Sequence, residues 1–400
     1  MRYRHVSVAI PVLAEYKNLP RLVEALLSQS FKNFDIYICV NNREGWADDG
    51  DGQHSAMYHD NQKALQYLQS LDAGQPLTVI DRSSPTKGWQ GKQHGVGWAR
   101  KTLYDAIAAT HDNDELIVSL DADTEFSASY LETVCSAMNS APHHSALCLP
   151  YYHLLSGNDT LDRPMLRYEI YMRHYLLNLL TISSPYAFTA LGSAMAFPLW
   201  AYKRVGGITP LQGGEDFYLM QKFAKTGRVL LSCNEVVRPQ GRPSLRVPFG
   251  TGPAIAKGLN SMDVTYPLYP VEGFQAVADT YALFDKLYDE DVETPMSDFL
   301  RQQLKTGNLW QPLRKNFKTR DLFIHACQER VDGLRILQFL KTFPVRRAEA
   351  ELETLCKLHG ISMPTDFNFR SSSVADIDKV RNGLFHLEQK MRFEKNNTIK

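Results

Sequence analysis

The chain is 400 residues long and carries 44 Lys and Arg against 44 Asp and Glu, so no net field favours nucleic acid and any anionic ligand must be held by local groups. That length exceeds what a single hydrophobic core usually serves, and a main domain with an appended one is expected. Cys39, Cys135, Cys148, Cys233, Cys327 and Cys356 are scattered without Cys-x-x-Cys spacing, several inside apolar runs, which reads as a reducing, cytoplasmic setting.

The opening MRYRHVSVAIPVL has an apolar run too short for a signal-peptide core and reads as a strand over residues 6 to 12. An amphipathic helix follows over residues 19 to 28, with Leu19, Leu22, Val23, Leu26 and Leu27 on one side. DIYICV (35 to 40) is the second strand. The polar stretch from Asn41 to Asp60, with turn signals around Asp49 to Gly52, reads as a long loop, of the kind that serves as a mobile lid. Helix signals resume over residues 61 to 71, and a third strand is expected over 77 to 81.

The Gly-rich basic segment TKGWQGKQHGVGWARK then leads into a helix ending near Ile107, with Trp89 and Trp98 read as packing residues. The run ELIVSL (115 to 120) is a fourth strand that releases Asp121 and Asp123 in SLDADTEF. A carboxylate pair at a strand's C-terminal end suits a ligand site in an open α/β sheet; the alternative is a solvated turn in which Asp123 or Thr124 caps the next helix. A helix over 129 to 138 and a strand over 146 to 151 continue the alternation, which points to a largely parallel sheet flanked by helices.

Beyond this the pattern is irregular. Residues 165 to 180 read as a helix, and GSAMAF (192 to 197) is a small-residue stretch. In GGEDFYLMQKFAKTG (213 to 227), Phe217, Leu219, Met220 and Phe223 form an apolar helical face and place Glu215 and Asp216 at the helix start. A strand is expected over 229 to 233, followed by the Pro-, Gly- and Arg-rich segment RPQGRPSLRVPFGTG (238 to 252). From Val271 onward the signals are helical, with Phe274, Val277, Ala278, Tyr281, Phe284 and Tyr288 at helical spacing and a second apolar stripe from Leu322 to Leu340. The stretch from Tyr175 to Tyr202 is too interrupted to span a bilayer, so at most peripheral membrane contact is expected.

Together VSVAIPVLAEYKNLPRLVEALLSQSFKNFDIYICV, SLDADTEF, GSAMAF and GGEDFYLMQKFAKTG resemble the family 2 glycosyltransferases of the GT-A fold, across roughly residues 5 to 245. The resemblance implies a catalytic domain over residues 1 to 255, a mainly helical region over 256 to 400, and inverting, metal-dependent transfer from a UDP- or GDP-sugar to a carbohydrate or glycolipid hydroxyl, at family level in bacterial polysaccharide or glycolipid synthesis. It implies that Asp121 faces the donor ribose, that Asp123 ligates Mg²⁺ or Mn²⁺ (Asp121 assisting), that Asp216 is the general base and that Glu215 orients the acceptor. Pro11, Glu15, Asn42, Asp81, Lys92, His94 and Arg242 fall where the family approaches the donor. Lys87, Lys92 and His94 read equally well as solvated surface, and Arg238, Arg242 and Arg246 either neutralise the diphosphate or are surface arginines.

This chain also departs from the family pattern. Ala14 stands where an Asn is usual, Asn41-Asn42 where many members place a base-reading aspartate, and EVVRPQGRPSLR lacks a His that many relatives use as a metal ligand. The base, uracil or guanine, therefore stays open. A degenerate binding or scaffolding subunit is the non-enzymatic alternative. A sugar-phosphate nucleotidylyltransferase is another, disfavoured because PVLAEYKN is not a Gly-rich, Arg-containing nucleotide loop.

Overall fold

Strand β1 (Val6–Val12) is buried along its whole length, as a strand covered on both faces must be. A computed structural model describes residues 2–72, 74–232, 234–244, 246–247, 250–260 and 266–398. After β1 the chain alternates through α1 (Leu19–Leu27), β2 (Phe34–Asn41), α2 (Gly52–Ser70), β3 (Leu77–Arg82), α3 (Val96–Thr110) and β4 (Leu116–Ser119). It continues with β5 (Thr124–Glu125), α4 (Tyr130–Ser140), β6 (Ala146–Cys148), α5 (Asp159–Thr181), β7 (Met195–Pro198), α6 (Leu199–Arg204), α7 (Glu215–Thr226), β8 (Val229–Leu231), β9 (Arg238–Pro239) and α8 (Thr251–Asn260).

Among the described residues the main sheet has seven strands in the order β3-β2-β1-β4-β7-β6-β8. The β1–β2, β2–β3, β1–β4 and β6–β8 pairs are parallel, whereas β7 runs antiparallel to both β4 and β6. The expected α/β class, a mostly parallel sheet with flanking helices and a helical C-terminal region, is thus observed. Helix α3 packs on β1 and β2, and α7 on β6 and β8.

The structure corrects the long loop expected over residues 41 to 60. Helix α2 already begins at Gly52, where the Asp51 side chain accepts a hydrogen bond from Gln53 N. Its first half buries nothing; only Asn61, Ala64, Leu65 and Leu68 are buried, so residues 52 to 60 carry no apolar stripe by which a helix could be recognised. The second half of GSAMAF enters β7, and α5 starts six residues before the expected Met165 with Pro164 inside it. Five cysteines, Cys39, Cys135, Cys148, Cys327 and Cys356, are buried and form no disulfide among the described residues; Cys233, with Leu245, Pro248 and Phe249, lies outside the described residues.

Two units are distinguished: residues 1–165, 188–260 and 392–400, and residues 166–187 and 261–391. In the first unit, Arg392 Nη1 donates to Cys148 O (3.1 Å) and Ser232 O (3.4 Å), and Asn396 Nδ2 to Leu231 O, covering the ends of β6 and β8. The second unit is helical: α9 (Val271–Ala282), α10 (Phe284–Leu287), α11 (Ser297–Leu304), α12 (Gln311–Asn316), α13 (Arg320–Arg330), α14 (Gly333–Leu340), α15 (Ala348–Leu358) and most of α16 (Val374–Thr398). Phe274, Val277 and Phe284 of the expected stripe are buried there. The stripe from Leu322 to Leu340 is broken at Asp332, which caps α14 by accepting from Arg335 N.

Within that unit Glu169, Arg173, Arg381 and Glu388 form a buried ion network. Arg173 pairs with Glu169 (2.7 Å) and with Glu388, while Arg381 reaches Glu169 (3.3 Å) and Asp378. No helix among the described residues is long and apolar enough to cross a membrane.

Candidate active site

The strand order reverses between β1 and β4, and in open α/β sheets the crevice beyond the carboxyl ends of such a pair is where ligands bind. β1 ends into Leu13, Ala14 and Glu15, and β4 into Asp121 and Asp123. Between them opens a cavity of about 250 Å³ formed by the first unit alone. Its lining brings together the acids from three separate sequence motifs, Glu15, Asp121, Asp123, Glu215 and Asp216, with Arg100, Arg242 and Arg246.

Short-range pairing puts each group in place. β5, just after Asp123, pairs antiparallel with β9 through Thr124–Pro239 and Glu125–Arg238, and this delivers Arg242 to the acids. Arg242 pairs with Glu15 and lies 3.3 Å from Asp123, and Arg246 reaches Glu15 and Leu13 O. The segment that offers no histidine thus supplies guanidinium. Burial, with Glu15 and Asp121 close by, pushes the Asp123 carboxyl up to about 6 despite Arg242 and Arg246.

On the other side, Glu215 and Asp216 occupy the first turn of α7, after Gly214 in the left-handed conformation (φ 77°). Phe217 N donates to Asp216 Oδ1 at 2.8 Å. Burial and the neighbouring Glu215 raise Asp216 to about 7, Arg100 and the Phe217 bond offsetting only part of this. The turn before α7 is held against α3 by close backbone approach: a Cβ on Gly97 would fall 2.1 Å from Leu211 O, to which Gly97 N donates.

Arg100 connects the two acid groups. From α3 its buried guanidinium donates to Asp121 Oδ1 at 2.6 Å and to Glu215 Oε1. Burial opposes its charge, but Asp121 and Glu215 outweigh this and hold it protonated beyond the ordinary arginine range. Space for it exists because residue 192 is glycine; a Cβ there would sit 1.9 Å from Arg100 Nη2. Sequence reasoning missed Arg100, although a signal was present: it lies in the helical stripe with Leu103, Tyr104 and Ile107, all buried, where an unpaired arginine would be very costly.

The other expected donor contacts are distributed differently. Pro11 and Glu15 line the cavity, as does Asn41 rather than Asn42. Asn42 is buried behind it, its Oδ1 accepting from Ser83 Oγ and Asn61 Nδ2 (2.9 Å). Asp81 lies outside the lining and caps a turn, accepting from Ser83 N, Ser84 N and Lys87 Nζ (3.0, 2.9 and 3.1 Å); burial raises its carboxyl, but these bonds leave it below the usual range. Lys92 is exposed, and His94 Nε2 meets Gln212 Nε2 at 3.0 Å, both outside the lining. Trp89 and Trp98 pack together, with ring centroids 6.3 Å apart. Asn61 was read only as a helix start; its Oδ1 accepts from Ala14 N (2.8 Å) and its Nδ2 donates to Asn41 O (3.0 Å), joining the ends of β1 and β2. Ala14 itself sits at φ 53°.

Scanned against protein-family models and against curated proteins, the sequence matches none. Among solved structures it is similar to S. aureus TarS residues 1–349 in complex with UDP (13% identity, 96% of this chain and 92% of that chain, TM-score 0.41). It is also similar to the mannosyltransferase PcManGT from Pyrobaculum calidifontis in complex with GDP-Man and Mn²⁺ (14%, 94% and 85%, TM-score 0.38). A third is GalNAc-T7 with UDP, GalNAc and Mn²⁺ (11%, 75% and 54%, TM-score 0.37).

Proposed function

We propose that this chain is a GT-A glycosyltransferase that moves a sugar from a UDP- or GDP-sugar to a hydroxyl of a carbohydrate or glycolipid acceptor, with inversion. The observation that carries this reading is that Asp216, raised to about 7, and the Asp121–Asp123 pair open into one cavity at the switch point of the sheet. A carboxylate titrating near neutrality is suited to general base catalysis. Asp216 removes the proton of the acceptor hydroxyl as its oxygen bonds to the anomeric carbon, and the bond from that carbon to the donor's phosphate oxygen breaks on the opposite side.

The donor set suits a hard divalent cation: Asp123 and Asp121 offer carboxylate oxygens, and burial together with Glu15 and Asp121 raises Asp123 despite Arg242 and Arg246, so a cation there would favour its charged form. When bound, Mg²⁺ or Mn²⁺ supplies charge neutralisation for the departing diphosphate. Arg242 and Arg246 hold Glu15 and share in that neutralisation, while Arg100 fixes Asp121 and Glu215 relative to each other.

A nucleotide-sugar panel scored by melting temperature tests the reading, because a ligand that binds only the folded state raises apparent stability. One donor is expected to stabilise the protein with Mn²⁺ or Mg²⁺ and to be hydrolysed slowly without acceptor. EDTA is expected to stop turnover, and Arg242→Ala to weaken it without abolishing it. No stabilisation by any nucleotide sugar or free nucleoside diphosphate would refute the proposal.

A further inference from the structure

At the other ends of the same strands, away from the carboxylates of the cavity, a second constellation is assembled from residues the proposed reaction does not use. His5 directly precedes β1, Asp35 is the second residue of β2, His111 follows α3 and Glu115 directly precedes β4. The in-register pairing of Val6 with Phe34 and Leu116 brings their positions together.

The two imidazoles are held in parallel. Their rings stack with centroids 5.3 Å apart. Glu115, whose side chain is 4% exposed, lies 2.9 Å from His5 Nδ1 and 3.4 Å from His111 Nδ1, and is itself fixed by Ser7 Oγ at 2.6 Å. With both Nδ1 atoms drawn to one carboxylate, both Nε2 atoms face another: His5 Nε2 is 3.4 Å from Asp35 Oδ1 and His111 Nε2 is 3.5 Å from Asp35 Oδ2. Tyr37 Oη lies 3.0 Å from His111 Nε2.

The two nitrogen–oxygen separations at Asp35 match the spacing between neighbouring ligand atoms of a metal ion. Zinc bonds of roughly 2.0–2.1 Å in a tetrahedron put neighbouring ligand atoms about 3.4 Å apart. One ligand atom each from His5, Asp35 and His111 lie within 4.8 Å of one another, close enough to share one ion. A carboxylate on the far nitrogen of a ligating histidine is the usual outer partner, fixing tautomer and ring orientation, and here one glutamate serves two rings. Two imidazoles and one carboxylate favour a zinc-class ion over Mg²⁺ or Ca²⁺, which prefer oxygen. The side chains of His5, Asp35 and His111 are 27%, 20% and 19% exposed, leaving an entry path and room for a solvent ligand.

We propose that His5 Nε2, Asp35 and His111 Nε2 form a three-ligand site for a zinc-class divalent ion, with Glu115 orienting both imidazoles and solvent completing the coordination. The site is separate from the Asp121–Asp123 pair and independent of the transferase reading.

The test is calorimetric titration of the metal-stripped full chain with Zn²⁺ in excess Mg²⁺, which occupies oxygen-only sites. One equivalent is expected to bind and to raise the melting temperature, and Co²⁺ is expected to show the intense visible bands of four-coordinate geometry. His5→Gln and His111→Gln should each abolish this binding, and Glu115→Gln, which keeps all three ligands, should weaken it by about 10- to 100-fold. Should one histidine variant fail to fold, the other carries the comparison. Zn²⁺ binding that survives both histidine substitutions, or a wild-type melting temperature that Zn²⁺ leaves unchanged, would overturn the proposal and leave a purely ionic cluster.

Discussion

Asp216 combines a stability cost with the base role proposed for it. Its carboxyl moves from the ordinary 3.8 to about 7 in the fold, so between those pH values the folded state binds a proton that the unfolded chain releases. Stability from this group is complete below about pH 4 and is lost as pH rises through 7. Asp216→Asn is therefore expected to raise the melting temperature at pH 8 and to leave it unchanged at pH 3, while lowering turnover by about 100- to 10,000-fold. In the wild type, kcat/KM should rise with pH through about 7. Gly192 offers a second test, since a methyl group there meets the Arg100 guanidinium. Gly192→Ala should push Arg100 off Asp121 and Glu215, with a loss of melting temperature accompanied by weaker donor binding, read by titration with nucleoside diphosphate. Unchanged donor affinity would mean that Arg100 does not position the donor side.

Helix α2 shows how far the elements could be read beforehand. Residues 55 to 60 should exchange amide hydrogens slowly even without ligand, contrary to a loop that orders over a donor, and Asp51→Ala should cost about 1 kcal/mol by removing the cap on Gln53 N, measured by denaturant unfolding. The parallel strands were legible because β1, β2 and β4 are continuous apolar runs ended by polar residues, and the start of α7 because its apolar face begins right after Glu215 and Asp216. The polar half of α2 was not legible, because exposed helix carries no hydrophobic period. Nor was the antiparallel insertion of β7, a register set by Pro198 opposite Leu116 and Met195 opposite Ser119, far apart in the chain. Sequence adjacency pointed to Asn42, yet Ser83 and Asn61 claim it and leave Asn41 at the cavity. The role of Arg100 depends on a glycine 92 positions later, a coupling that only the folded sheet brings about.

At the scale of the molecule, the second unit rests on charge as well as on apolar packing. Arg173, fully buried between Glu169 and Glu388 with its guanidinium 4.8 Å from the Phe385 ring centre, links residues 166–187 to the end of the same unit. Arg173→Met leaves two buried carboxylates with less compensation and should cost about 3–5 kcal/mol, seen by calorimetry as a lower melting transition. The first unit has its own long-range dependence: Arg392 and Asn396 bond the backbone at Cys148, Leu231 and Ser232, with β8 the outermost strand of the sheet. During translation these partners emerge about 160 residues after Ser232, which at ~5–20 residues per second is roughly 10–30 s. For that interval the nascent first unit lacks the Arg392 and Asn396 bonds to the ends of β6 and β8, and an outer strand with unpaired backbone groups is a template for pairing with another chain. A chain stalled before Arg392 is therefore expected to aggregate more readily on release from the ribosome than the full chain.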